Sequence, residues 1–209
     1  WMFNFVCMGF AVYYFTYVAN NAAFLATFIL VTNVLCIVGS YVSKFFAKAL
    51  STRTTAILFF LIMAACLFGA NFMYTNMVAV VVLMSIAQFG YGVCYAATPA
   101  LYADTIIYAE WKTGKNATGF ISGLQNVPLK VSILLRGIII TACLSLGAFS
   151  ADIDPAQATD QLKKAICLGF MVIPAIVLIV AAVLLLFGFR LTKAKVEEYT
   201  REIAARKAA

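Results

Sequence analysis

The sequence has 209 residues, of which 65% are hydrophobic and only 11% are charged. A soluble domain carries roughly a quarter charged residues, so this composition excludes an ordinary water-soluble protein and predicts an integral membrane protein. There is no histidine, and the six cysteines stand singly in apolar runs without a CxxC pair. We therefore expect no zinc site, no disulfide framework, no cofactor and no enzymatic activity.

Six apolar stretches follow one another along the chain, and a bilayer crossing needs about 20 such residues. They run over residues 1–18, 22–43, 54–74, 77–102, 117–149 and 165–189. The fifth is longer than a bilayer requires, so its start is expected to project into the cytoplasm or to lie obliquely. The predicted fold class is all-α: a bundle of six transmembrane helices over residues 1–189, followed by a basic tail at 190–209.

The charges are sorted between alternate loops, and the net charge is +7. Eleven basic residues lie on one side, in the loops after spans 2 and 4 and in the tail: Lys44, Lys48, Arg53, Lys112, Lys115, Arg190, Lys193, Lys195, Arg201, Arg206 and Lys207. The positive-inside rule places that side, with both chain ends, in the cytoplasm. Because topology and attraction to anionic lipid account for the positive charge, we expect the bilayer and not a nucleic acid as partner.

Spans 3 and 6 are almost without polar side chains and are expected to face lipid as scaffold. Spans 4 and 5 each carry polar side chains at helical spacing. The stripe on span 4 comprises Gln88, Tyr91, Tyr95, Thr98 and Tyr102, and the stripe on span 5 comprises Thr118, Ser122, Asn126 and Lys130, with Gln125 beside it. Two neighbouring polar stripes favour a shared aqueous cavity. The alternative is that these side chains hydrogen-bond between helices, each contributing about 1 kcal/mol to packing.

Lys130 lies well inside span 5, where a charged side chain costs about 2.5–3.5 kcal/mol. The six spans contain no acidic residue to pair with it, unless Asp104 at the end of span 4 is included. Its expected partner is therefore a carboxylate in another segment, a bound substrate, or both. Snorkelling of the side chain to the membrane surface is the competing explanation.

The segment after span 4 reads Ala103-Asp104-Thr105-Ile106-Ile107-Tyr108-Ala109-Glu110-Trp111-Lys112-Thr113-Gly114-Lys115. It resembles the A-D-x-x-x-Y-G-E-W-K-T-G-x-R signature of the glycoside–pentoside–hexuronide:cation symporters, the family of the melibiose permease within the major facilitator superfamily. The chain departs from the signature at Ile107, Ala109 and Asn116, where the family has aspartate, glycine and arginine. Lys115 can partly replace that arginine.

The resemblance implies that the six spans are helices seven to twelve of a twelve-helix transporter, whose N-terminal six-helix half is a further partner. It also implies a substrate site that includes Tyr95, at the position of a sugar-stacking aromatic residue, and the span 5 residues Gln125, Asn126, Leu129 and Lys130. With the span 4 stripe, the predicted substrate-binding set gains Gln88 and Tyr91. Lys130 is expected to support the cation site, and the expected cytoplasmic gate comprises Asp104, Tyr108, Glu110 and Lys115.

These features predict the C-terminal half of a secondary active transporter in the inner membrane of a bacterium. It would couple the movement of a sugar, glycoside or hexuronide to Na⁺ or H⁺ by alternating access. The cation-binding carboxylates are expected in the N-terminal half. Three alternatives are a transporter of lysolipid or another amphiphile, an integral membrane enzyme, and a non-transporting structural or receptor protein.

Overall fold

The computed structural model describes residues 1–150, 152–189 and 191–208, and these contain helices and no strand. The helices are α1 (Met2–Tyr13), α2 (Phe24–Leu50), α3 (Thr52–Phe72), α4 (Met77–Thr113), α5 (Thr118–Leu124), α6 (Val127–Leu146), α7 (Asp160–Cys167), α8 (Ile173–Gly188) and α9 (Lys193–Ala208). A π-helical turn at Tyr14–Val18 extends α1, and another at Leu168–Val172 joins α7 to α8. A short 3-10 turn covers Pro155–Gln157.

Within the described residues, five helical stretches are long and apolar enough to cross a membrane: α2, α3, α4, Thr118–Leu146 and Asp160–Gly188. Met2–Val18 is a shorter apolar helix. The prediction of an all-α membrane bundle is confirmed, with its first span shorter than the other five. The fourth helix continues to Thr113, well past the predicted span end at residue 102, because the signature segment itself is helical.

The long fifth span is two helices, and the break falls at Gln125 and Asn126 between α5 and α6. Pro128 occupies the first turn of α6, where its missing N–H leaves no internal hydrogen bond unmade. Pro99, by contrast, lies inside α4 and the helix continues through it. The two prolines of the polar spans therefore act differently: one begins a helix and the other is accommodated within one.

Helices α2 and α4 approach each other closely along a pair of glycines. A Cβ atom added at Gly39 would collide with the carbonyl of Phe89, and one added at Gly92 would collide with the carbonyl of Cys36. The Ser40 hydroxyl donates a hydrogen bond across this contact to the Gly92 carbonyl (3.1 Å). Small residues allow two backbones to pack at this distance, which is how helices associate within lipid.

An aromatic core lies where α1 meets the π-helical turn before α8. Phe10, Tyr14 and Phe170 are fully buried, and the Tyr14 and Phe170 rings lie 5.1 Å apart between centroids. The Tyr14 hydroxyl donates to the Tyr74 carbonyl at 2.9 Å, which satisfies its polar end. This core fixes α1 and thereby the side chains at its start, which reach the candidate site.

The apolar helices α3 and α8 pack against each other, and α3 also packs on α4. Each keeps exposed apolar side chains, such as Leu61 on α3 and Leu184 on α8. Of the five membrane-length stretches, the least buried are α2 and the α5–α6 pair, with 17% and 11% of their apolar windows buried. That α3 and α8 face lipid stays a prediction.

Candidate functional site

A cavity of about 300 Å³ opens between α1, α3, α4, α6 and α8, and we call it the tyrosine cavity. This volume is at the lower end of the range for small-molecule sites. Most of its lining is apolar, and its aromatic and hydroxyl-bearing members are Trp1, Phe3, Phe60, Tyr91, Tyr95, Thr98, Tyr102 and Ser132. The stripe that the sequence predicts on span 4 therefore lines a cavity over most of its length, because the 3-4 spacing keeps these side chains on one face of α4.

Aromatic rings form one wall of the tyrosine cavity. The Trp1 ring meets the Tyr95 ring edge-on, with centroids 5.3 Å apart and planes at 88°. Tyr95 also lies 6.0 Å from Tyr91, and Tyr91 lies 5.8 Å from Phe3. Tyr95 remains 50% exposed, so its ring packs against two neighbours while half of the residue's surface stays accessible. Such a wall suits an apolar, ring-shaped surface.

Gln88, the first residue of the span 4 stripe, is buried with 3% of its surface exposed and does not line the cavity. Its side-chain amide donates to the side-chain oxygen of Asn4 on α1 at 2.8 Å. Gln88 therefore makes a hydrogen bond between two helices, as the alternative to a cavity-lining role predicts. Sequence reasoning missed Asn4, although an amide in an otherwise apolar first span was a visible signal.

The predicted residues of span 5 lie outside the tyrosine cavity, to which α6 contributes Pro128 and Ser132 instead. The polar stripe is exposed along its whole length, at Thr118, Ser122, Asn126 and Lys130. Gln125 and Leu129 are half-buried. Among the described residues, no carboxylate lies within ion-pair distance of Lys130. The structure thus separates the predicted substrate set into a cavity wall on α4 and an open polar face on α5 and α6.

The predicted gate residues lie within the signature segment, residues 104–115, most of which forms the C-terminal end of α4. Asp104 is half-buried and lines a second cavity, of about 640 Å³, together with Arg53, Thr54 and Glu197. Tyr108 stacks with Trp111, with centroids 6.0 Å apart.

The end of the signature segment is set by a glycine. Gly114, with φ of 68°, ends α4 in the left-handed conformation that glycine adopts without strain. The backbone carbonyl of Glu110, which is half-buried, accepts the hydrogen bond from the Gly114 N–H at 2.9 Å. Lys115 follows the turn and is exposed. The signature therefore divides into a helical part that carries Asp104, Tyr108 and Glu110 and a lysine beyond the end of the helix.

The tail after residue 190, for which the sequence predicts only positive charge, contains a helix that packs on this segment. Tyr199 of α9 stacks on Trp111 with centroids 4.2 Å apart and planes at 26°. The Trp111 indole N–H donates to the Glu202 carboxylate at 2.6 Å. The only sequence signal was the spacing of Val196, Tyr199 and Ile203, which places them on one side of a helix.

Among the residues that the structure describes, no three carboxylate or thiol side chains come together in a way that could hold a metal ion. The predicted coupling cation is therefore not assigned to a group of ligands on this chain.

The helices define a multi-pass α-helical membrane protein with a cavity between them. Residues 1–193 match the family described as MFS/sugar transport protein. The chain belongs to this family of the major facilitator superfamily.

The chain is also 25% identical, over 178 residues, to the isoprimeverose transporter of Lactiplantibacillus pentosus. The match covers 84% of this chain and 36% of the relative, so the chain spans about a third of the length of that protein. No solved structure matches the chain.

Proposed function

We propose that the chain is the C-terminal half of a cation-coupled symporter of the glycoside–pentoside–hexuronide type, which moves a sugar, glycoside or hexuronide by alternating access. The observation that carries this proposal is the tyrosine cavity, in which a half-exposed aromatic ring stands beside hydroxyl groups. A sugar has one apolar face of C–H groups and a rim of hydroxyls, and this wall is complementary to both. The family membership and the signature at residues 104–115 support the same conclusion.

In the proposed complex, the apolar face of the sugar stacks on Tyr95, whose plane is held by Trp1. The hydroxyl of Thr98 already donates to the Cys94 carbonyl at 2.8 Å, so its oxygen is left to accept a hydrogen bond from the sugar. Ser132 on α6 provides a second hydroxyl in the cavity. Gln88 positions α4 through its bond to α1 and does not bind the sugar directly.

The second half of the transporter, six helices N-terminal to this chain, would cover the exposed polar face of α5 and α6. Gln125, Asn126 and Leu129 would then complete the sugar site across the interface. Lys130 would pair with the carboxylates that bind Na⁺ or H⁺, or with a hexuronide carboxylate. This arrangement removes the cost of leaving a charged lysine unpaired in the membrane.

We further propose that the protein lies in the inner membrane of a bacterium with its C-terminus in the cytoplasm, as the distribution of basic residues favours. The signature end of α4 is then the cytoplasmic side of the transporter. Asp104, Tyr108, Glu110 and Lys115 would form part of the gate that closes it.

The test is counterflow of labelled glycosides, isoprimeverose among them, in vesicles containing the full-length protein, with and without Na⁺ and at two external pH values. We expect exchange that Na⁺ or a lower pH stimulates. Tyr95→Ala should slow exchange about tenfold because the stacking interaction is lost, whereas Tyr95→Phe should keep most of it. Lys130→Ala should abolish the cation stimulation.

The matched control is Tyr41→Ala, since Tyr41 is 73% exposed on α2 and does not line the cavity. Equal loss in Tyr95→Ala and Tyr41→Ala would show that the tyrosine cavity is not the sugar site. Exchange that no cation affects would refute the symport mechanism. Movement of lysolipid, without exchange of any glycoside, would favour the amphiphile transporter instead.

A further inference from the structure

Helix α9 binds the signature segment through one face and leaves the other exposed. The contacting face carries Val196, Tyr199, Glu202 and Ile203, each half-buried, whereas Glu198, one turn before Glu202, is exposed. Three polar and aromatic contacts converge on Trp111. Its ring stacks on Tyr199, its indole N–H donates to Glu202, and its carbonyl accepts a hydrogen bond from Arg206 at 2.9 Å.

The charged residues of this contact also bind each other. Arg206 forms an ion pair with Glu202, with 3.5 Å between nitrogen and oxygen. Glu202 therefore bonds Trp111 and Arg206 at once, and it is the central polar group of the interface. Tyr108 completes the cluster, with its ring 5.9 Å from that of Tyr199.

The N-terminal end of α9 follows the end of α8, which is itself held in place. The Arg53 guanidinium, at the start of α3, bonds the carbonyls of Leu185 and Leu186 and so holds the last turn of α8. Since α9 begins five residues after the end of α8 and packs on α4, docked α9 connects the α3–α8 pair to the signature segment. The family match ends at residue 193, and α9 lies almost wholly beyond it.

Packing around α9 is incomplete. The 640 Å³ cavity that contains Asp104 also touches Val196 and Glu197, and a cavity of about 420 Å³ separates Tyr108 and Tyr199 from the end of α8. A helix held mainly by one stacked ring pair and a few polar bonds, with open space beside it, can separate without disrupting the bundle. An isolated helix of 16 residues is also marginal in water, so α9 would unfold when it separates.

We propose that α9 is a latch on the signature segment: while docked, it restrains the end of α4 against the end of α8, and its release lets that end move. The inference rests on the proposed function in one respect: it assumes that movement of this segment is a step of transport. The contacts among Trp111, Tyr199 and Glu202 hold the latch in its docked position.

The test is hydrogen–deuterium exchange of the full-length protein in lipid nanodiscs, followed at residues 104–115 and 193–208. Glu202→Gln removes the charge that bonds both Trp111 and Arg206, and Tyr199→Ala removes the stack. Both variants should exchange roughly tenfold faster in α9, as expected for loss of a charge-assisted hydrogen bond in one and of an aromatic stack in the other. The signature segment should exchange faster with it, and counterflow should be faster than in the unaltered protein.

Glu198→Gln is the matched control because it makes the same chemical change at an exposed position one turn away that bonds neither Trp111 nor Arg206, and it should alter none of these rates. Faster exchange in α9 with unchanged protection of residues 104–115 would overturn the latch. If the unaltered protein does exchange sugar, slower or equal counterflow in a variant whose α9 is released would also overturn it. If the unaltered protein moves no sugar but both segments lose protection together, the latch is supported and the proposed function is refuted.

Discussion

Two side-chain amides, those of Asn4 and Gln88, meet between α1 and α4. Gln88 is buried and donates to Asn4 at 2.8 Å. In membranes such interhelical bonds contribute about 0.6–2 kcal/mol. Residues near both amides line the tyrosine cavity: Phe3 precedes Asn4 on α1, and Tyr91 lies one turn after Gln88 on α4. It therefore fixes how α1 and α4 stand relative to each other at the cavity wall.

We predict that Gln88→Ala and Asn4→Ala each lower the free energy of unfolding by about 1–2 kcal/mol, because each leaves the other amide without its partner. The double variant should lose less than the sum of the two. Unfolding in mixed SDS and detergent micelles measures these changes. Asn33→Ala is the control, since Asn33 is exposed and bonds only the Ile29 carbonyl of its own helix. Strict additivity of the two losses would show that the amides do not interact.

For single residues, the sequence predicted which side chains share a helix face better than it predicted their hydrogen-bond partners. The 3-4 spacing of the span 4 stripe placed Tyr91, Tyr95, Thr98 and Tyr102 on one side of a helix, and the structure has them on one cavity wall. It could not show that Gln88 points to Asn4, because that depends on how α1 and α4 pack. The roles predicted for these side chains in substrate binding stay predictions.

A close backbone contact joins α2 to α4, where Gly39 and Gly92 let the two helices meet. Ser43 adds a bond from its hydroxyl to the Val93 carbonyl at 2.9 Å. Because α4 also carries the cavity wall and the signature segment, its fixed contact with α2 gives the site a rigid support.

We predict that Gly92→Ala lowers the free energy of unfolding by about 3 kcal/mol, because the added methyl group cannot fit without separating the helices. The same substitution at Gly137 is the control, since a Cβ there has nothing within 4 Å. It should be neutral or slightly stabilising, as alanine has the better helix propensity. Equal effects of the two substitutions in thermal unfolding of the purified protein would contradict the close approach of α2 and α4.

Helix positions were largely predictable because each apolar run has the length of a bilayer crossing. The break at Gln125 was not predicted, although Pro128 supplied a signal for a local change. The docking of α9 was beyond sequence reasoning for a different reason. Its contacts with Trp111 join residues about 90 positions apart, and its mixed charge is typical of a solvated tail.

At the scale of the whole molecule, the least buried of the five membrane-length stretches are α2 and the α5–α6 pair, and the latter pair carries the exposed polar stripe that ends at Lys130. A polar stripe facing hydrocarbon would be costly. The exposed face is therefore best explained as the surface that meets the proposed N-terminal half.

We predict that this chain, expressed alone, catalyses no counterflow, and that co-expression with the N-terminal half as a separate polypeptide restores it. The two halves should co-purify from detergent. Lys130→Glu should weaken that association because it reverses the charge opposite the expected carboxylates, whereas Lys164→Glu, at an exposed position on α7, should not. Unimpaired association of the Lys130→Glu chain would favour snorkelling of this lysine.

The length of α4 has a mechanical consequence. It is one unbroken helix of 37 residues, and the distance along it from Tyr95 to Trp111 is roughly 24 Å. A tilt of about 10° around the level of Tyr95 would thus carry Trp111 sideways by about 4 Å, more than the length of a hydrogen bond. If α4 tilts as one rigid helix, a small adjustment at the level of Tyr95 therefore becomes a displacement at Trp111 that is large enough to break or form contacts there.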